Sequence, residues 1–249
     1  MQKHAASSVI ETEMLVPLLG STRAFVAPST NARRVASPPR LTAAGPCESA
    51  GWPHLQGLLD ELPVFTVANG DGQPLEYQTA ADRKLAIFYT DVEAAMKQTE
   101  AAKVQFPDLG CDIITTGLGC AYKLSGEGAA LIVPGVADLQ GAGAPEGVNP
   151  MGQEVPLFAC MELTREGDNG AKVPLFMSYA DCAEAVAEAP GGPLEVNAIL
   201  SLQSIVEELV DLEDPSSGEF KLVPPASSRQ HVSSYVGQGV YMRKVEEGE

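Results

Sequence analysis

Apolar runs of four to six residues, set between polar and glycine-rich stretches, recur twice along the chain in the same order. Leu62-Pro63-Val64-Phe65 returns as Val155-Pro156-Leu157-Phe158, 93 residues on, and Leu85-Ala86-Ile87-Phe88-Tyr89-Thr90 returns as Val173-Pro174-Leu175-Phe176-Met177-Ser178, 88 residues on. Short runs of this kind, rich in branched and aromatic side chains, predict strands. The difference between the two offsets falls in the polar stretch joining each pair of strands, where a hairpin absorbs a change of length.

A helix-start signal follows each second strand. Thr90-Asp91-Val92-Glu93 and Ser178-Tyr179-Ala180-Asp181 each place a hydroxyl at the predicted N-cap and a carboxylate three residues later. The hydroxyl accepts from a first-turn amide, and the carboxylate favours the positive end of the helix. Apolar positions then recur on one helical face: Val92, Ala95, Met96, Thr99, Ala102 and Phe106 in the first copy, Cys182, Ala185, Val186 and Ala189 in the second. A third block, Cys111 to Thr116 and Leu194 to Ile199, reads as a strand leading into a short helix, with Leu118 and Tyr122 or Leu202 and Val206 on its apolar side. Ala130 to Pro134 and Phe220 to Pro224 form a last strand ending in a proline that can open a helix.

The expected order in each copy is therefore strand, strand, helix, strand, short helix, strand, short helix. This is an α/β (α+β) fold built by internal duplication. The predicted boundaries are a leader at 1–46, a first half at 47–140, a Gly/Pro linker at 141–154, a second half at 155–236 and an acidic tail at 237–249. A half of about 90 residues with a short sheet has little core of its own. The two halves are expected to bury their sheets against each other as one pseudo-twofold body.

Charge sharpens this division. The chain of 249 residues has a net charge of −17, but residues 1 to 46 carry five bases against two acids, leaving 11 bases against 31 acids in the body. No Asp or Glu occurs between Met14 and Cys47, where Arg23, Arg33, Arg34 and Arg40 stand among serines, threonines and alanines. Arginine- and hydroxyl-rich, acid-poor composition is that of an organellar transit peptide, and such a segment buries too little apolar surface to fold alone. The acidic body repels phosphate backbones and anionic headgroups, so nucleic acid and polybasic membrane attachment are not expected. No apolar run approaches the roughly 20 residues of a transmembrane helix.

Chemical motifs are sparse. Gly117-x-Gly119 and Gly141-x-Gly143 lack the third glycine of a dinucleotide fingerprint, and no phosphate-binding loop occurs. Cys47, Cys111, Cys120, Cys160 and Cys182 form no CxxC and lack histidines at metal spacing, which favours buried thiols over a metal or redox centre. Only His54 and His231 lie outside the leader, so no histidine site is repeated in both halves; a single pairing of His231 with Cys160 or Cys182 stays open. No cofactor is expected. Glu207, Glu208, Asp211, Glu213 and Asp214 read as a solvated helix face and end. Met151, Met161 and Met177 stand around the second hairpin; methionine suits a surface that accepts varied apolar segments, although filling gaps in a core is its commoner role.

The ordered set of Leu-Pro-Val-Phe, a polar hairpin, Ile87-Phe88-Tyr89 with a capped helix and a strand running to Val133-Pro134, each with its second copy, resembles the 22-kDa Tic subunit family of the chloroplast envelope. The resemblance runs from about Leu62 to about Tyr235. It implies a two-lobed α/β body with apolar grooves, no catalytic residues, and the escort of precursor proteins across the intermembrane space. Its implied partners are precursors with basic transit peptides and translocon subunits. Candidate polypeptide contacts are Met151, Met161, Met177, Phe65 and Phe158. Within the leader, Ala24-Phe25-Val26-Ala27-Pro28 resembles the phenylalanine-led transit peptides of plastids of red-algal origin. Two alternatives remain: a peripheral structural or assembly subunit of a photosynthetic complex, and an enzyme using a cysteine with His231.

Overall fold

The structure is a computed structural model that describes residues 9–10, 45–78, 83–167, 170–190, 194–212, 214–215 and 218–237. Its strands are β1 (Val9–Ile10), β2 (Pro63–Ala68), β3 (Glu76–Gln78), β4 (Lys84–Tyr89), β5 (Asp112–Gly117), β6 (Ala130–Val133), β7 (Pro156–Ala159), β8 (Arg165–Gly167), β9 (Gly170–Phe176), β10 (Ala198–Ser201) and β11 (Phe220–Val223). Its α-helices are α1 (Trp52–Asp60), α2 (Val92–Gln105), α3 (Leu118–Gly126), α4 (Val136–Gly141), α5 (Tyr179–Ala187), α6 (Leu202–Leu209) and α7 (Ala226–Gly237).

Two mixed sheets result. The first runs β1-β3-β4-β2-β5, with β6 also on β4; the second runs β10-β7-β9-β11, with β8 on β9. The connections correspond closely. β2 pairs antiparallel with β4 at Phe65↔Tyr89, and β7 with β9 at Phe158↔Phe176. β4 takes β6 in parallel, and β9 takes β11 in parallel. The polar hairpin of each half supplies an extra short strand, β3 or β8.

The strands read as nearly unbroken apolar runs because both of their faces are covered. Side chains of alternating parity divide between two environments. Val64, Ala86, Phe88, Leu157, Ala159, Leu175 and Met177 point inward to one shared core, with Leu55 and Leu59 of α1, Leu118 of α3 and Ile205 and Val206 of α6. This single cluster joins the two sheets, as a half too small to bury its own sheet requires. Phe65, Ile87 and Tyr89 face outward under α2, and Phe158, Cys160 and Phe176 face outward under α5. Trp52 stacks on Tyr122 at 5.7 Å in the shared core, and its buried indole N–H has no acceptor among the described residues.

Three local expectations shift. Asp91, not Thr90, caps α2, accepting from the Glu93 amide at 3.0 Å, because Thr90 is drawn into the interior at 1% exposure. The second copy follows the expected form, with Ser178 accepting from the Asp181 amide at 3.3 Å. The strand read from Leu194 starts only at Ala198; Leu194 and Val196 instead pack irregular chain against the outer face of the second sheet. Helix α1 has no counterpart in the recurring pattern. The segment read as a linker carries no helix or strand from Ala142 to Val155, and Gly143, Gly147 and Gly152 have positive φ. The predicted leader lies outside the described residues except for Val9, Ile10, Gly45 and Pro46, and the acidic tail lies outside them except for Gly237.

Candidate functional site

The outer faces of the two sheets hold the candidate contacts. On the first, Phe65, Ile87, Tyr89 and Val133 pack with Val92 and Ala95 of α2, and half-buried Tyr77, Met151, Val232 and Tyr235 surround them. On the second, Phe158, Cys160 and Phe176 pack with Cys182 and Val186 of α5, and half-buried Leu163, Leu194, Val196 and Val223 form the rim. The Arg165 guanidinium lies 5.8 Å from the centre of the Phe176 ring, a cation–π contact.

The five candidate residues do not share one surface. Phe65 and Phe158 are 0% exposed and Met177 is 1% exposed, so none of the three presents surface to a partner in this conformation. Met177 belongs to the core between the sheets, because its parity on the strand's continuation matches Leu175. Met151 packs near Phe65 on the first outer face, carried there by the irregular segment. Met161 is 46% exposed, its amide donating to Asn197 Oδ1 at 3.0 Å. The expected methionine cluster around the second hairpin is thus dispersed among a core, a face and a surface turn.

Each half sends its last helix across to the other. α4 packs on α5, and α7 packs on β2 and α2. Asp138 of α4 accepts from the Tyr179 amide at 2.9 Å, so it caps the opposite half's helix. Ser228 of α7, fully buried, directs its hydroxyl at the Thr90 carbonyl, 3.5 Å away, where α2 begins. Asp181 of α5 accepts from the Ala226 amide at 2.7 Å and so holds the first turn of α7. Burial pushes the Asp138 carboxyl up to about 6, with Asp91 and Asp181 adding repulsion and the Tyr179 amide opposing both.

The α4 crossing depends on a missing side chain. A Cβ on Gly141 would stand 2.5 Å from Tyr179 Cγ, and that ring in turn meets Phe158 edge-on at 5.3 Å between centres. Gly141→Ala should therefore force α4 off α5 and destabilise the protein by about 2 kcal/mol, as overpacking does. A thermal melt unchanged from the parent would show that the crossing yields without cost.

His231 and the two thiols considered with it lie on different faces. His231 meets Phe65 edge-on at 5.4 Å and Tyr235 at 4.6 Å on the first outer face, whereas Cys160 and Cys182 belong to the second. The sequence-level pairing of His231 with either thiol is therefore not formed. Burial pushes the Cys182 thiol up to about 11, with Cys160 adding to the rise, and raises Cys111 as well. Cys160 Sγ lies 3.3 Å from Glu162 Oε2, which also accepts from Asn197 Nδ2. Among the described residues, no group of three potential metal ligands occurs and no helix is long and apolar enough to cross a membrane. An open depression of about 390 Å3 lies where α1 begins beside the end of α6, lined by Gly51, His54, Val210, Asp211 and Leu212.

No protein-family model and no curated protein matches the sequence. Solved structures do match in shape. Tic22 from Plasmodium falciparum superposes with a TM-score of 0.59 at 18% identity, covering 75% of this chain and 99% of that one. Anabaena Tic22, described with protein transport, gives 0.56 at 18% identity, covering 74% and 96%. The chain has the Tic22 fold. Nearly the whole of each Tic22 chain is matched, so the two-sheet body is the common element. Two features inside that body were not singled out from sequence: the crossing carboxylate Asp138, and the α7 side chains over Phe65. The second had a legible signal, since Ser228, His231, Val232 and Tyr235 have the i, i+3, i+4, i+7 spacing of one helix face. The first had none, because Asp138 becomes special only through tertiary burial.

Proposed function

We propose that the protein is a non-enzymatic protein-import factor that binds segments of precursor proteins on its apolar outer faces as they cross a plastid envelope. The observation that carries the reading is a whole-body match to Tic22 structures, one of them described with protein transport. The charge division supports it: a strongly acidic body attracts basic leaders, and the chain's own basic N-terminal region, acid-free from Met14 to Cys47, has the composition of an address. Its place of work is the envelope intermembrane space, in a plastid of red-algal descent, with translocon subunits as neighbours. The shared strand connections support descent of the two halves from one duplicated unit, divided at the segment 141–154. The apolar outer faces of the two sheets, over Phe65 and over Phe158, are the polypeptide-binding surfaces, with Met151 and Met161 at or near their edges.

A fluorescence titration with a synthetic peptide of residues 14–46, which carries four arginines and no acid, tests this. Binding is expected at low ionic strength, weakening as salt screens exposed charges. Absence of binding at low salt would remove the import reading; binding indifferent to salt would remove its electrostatic part.

A further inference from the structure

Helix α7 is anomalous as a piece of core. It covers fully buried Phe65, yet among its described side chains only Ser228 is buried; His231, Val232 and Tyr235 are half-buried and Ala226, Ser227, Arg229, Gln230, Ser233 and Ser234 are exposed. A helix that belongs permanently to a fold sinks an apolar stripe into it, as α5 does with Cys182 and Val186. α7 instead is pinned at its first turn, through Ala226 to Asp181 and Ser228 to Thr90, and rests beyond that on three partly covered rings and branches. Its composition is equally out of place. The helix lies in a run from Phe220 to Val245 without one Asp or Glu, and itself carries Arg229 and four serines, in a body otherwise rich in acids. The acid-free stretch from Met14 to Ala44 has this same character.

We infer that α7 is a built-in stand-in for the ligand: an acid-free, hydroxyl-rich helix carrying Arg229 and docked on the first outer face through His231, Val232 and Tyr235, which a helix of like chemistry from another polypeptide displaces. The last two turns, from His231 onward, lift while the first turn stays fixed, because the anchoring hydrogen bonds lie at Ala226 and Ser228 and segments with few buried contacts open most easily. The lifted turns expose Phe65, Tyr89 and Met151 to the incoming helix. Its basic side chains meet an acidic body, and Asp112 of β5 already faces His231. The face stays covered until a competing segment arrives, which keeps an apolar patch out of water. This rests on the precursor-binding reading above and adds to it the identity of the face and the reason that it is not open.

Hydrogen exchange on the unaltered full chain, with and without the 14–46 peptide, tests the displacement. Amides from His231 to Tyr235 should lose protection at saturating peptide while those of α5 keep theirs. In parallel, Val232→Ser with Tyr235→Ser should free the helix end without changing its charge and tighten peptide binding about tenfold. A peptide of residues 225–245 should compete with the 14–46 peptide for that variant. If the peptide binds while α7 stays fully protected, or the variant binds no more tightly than the parent, the stand-in role is wrong and the import reading stands. If neither protein binds the peptide, both are wrong.

Discussion

Met177→Glu is expected to unfold the protein or cost it on the order of 4 kcal/mol or more, whereas Met161→Glu should leave stability within about 0.5 kcal/mol. The two methionines look alike in sequence and differ wholly in place. Met177 is 1% exposed in the core that joins the sheets, and Met161 is 46% exposed. A carboxylate at Met177 would lose its hydration, lie among Leu157, Leu175, Val206 and their neighbours, and find no cation there. It would either ionise at great cost or carry its proton far above the ordinary range, and each route draws on a net stability of only about 5–15 kcal/mol. Urea titration followed by Trp52 fluorescence reads the outcome, since Trp52 is the sole tryptophan and lies in the same core. A Met177→Glu protein with the parent's midpoint would mean that the two sheets are not packed face to face. A loss of peptide binding in this variant would then carry no information about a groove, because the whole body would be lost with it; Met161→Glu is the variant that separates the two effects.

The difference between these methionines marks what the sequence could disclose. Strand positions were legible because runs such as Leu85 to Tyr89 are apolar on both parities, a pattern that needs cover on both faces. Recurrence at nearly constant offsets then disclosed the order of elements, and that order recurs in the connections of the two sheets. Which parity faces which layer was not legible, since in such a run neither face is polar. Phe65 and Met177 thus looked like surface contacts when one lies under helices and the other between sheets. Helix α1 escaped for a related reason: Trp52, Leu55 and Leu59 have helical spacing, but nothing in the second half repeats them. The Thr90 cap failed through tertiary context, as α7 crosses over Thr90 and favours its burial, leaving Asp91 to satisfy the Glu93 amide. The crossing helices themselves lay beyond local reasoning, because a short helix after a strand can fold back on either half.

Asp138→Asn should stabilise the protein by about 3 kcal/mol at pH 7.5 and by almost nothing near pH 4. The carboxyl sits at about 6 rather than 3.8 because burial at the α4 crossing disfavours its charge and Asp91 and Asp181 repel it, although the Tyr179 amide donates to it. A folded-state value raised above the unfolded one means that the folded protein holds this proton more tightly. Above about pH 6 the group is ionised in both states and the folded state bears the full cost, about 1.4 kcal/mol for each pH unit between the two values. As pH falls from about 6 towards 3.8 the folded state is protonated first and the cost disappears. Asparagine keeps an oxygen to accept from Tyr179 and removes the charge, so it should abolish this part of the pH dependence while preserving the cap. Denaturation of both proteins from pH 4 to 7.5 gives the difference directly, with other titrating groups common to both. A difference that is flat with pH would mean that Asp138 is solvated and that α4 does not hold its place on α5; a less stable Asp138→Asn at pH 7.5 would mean that the negative charge at the start of α5 outweighs its repulsion by Asp91 and Asp181. The expected sign implies that the crossing between halves is under electrostatic tension at neutral pH, and that acidification tightens it.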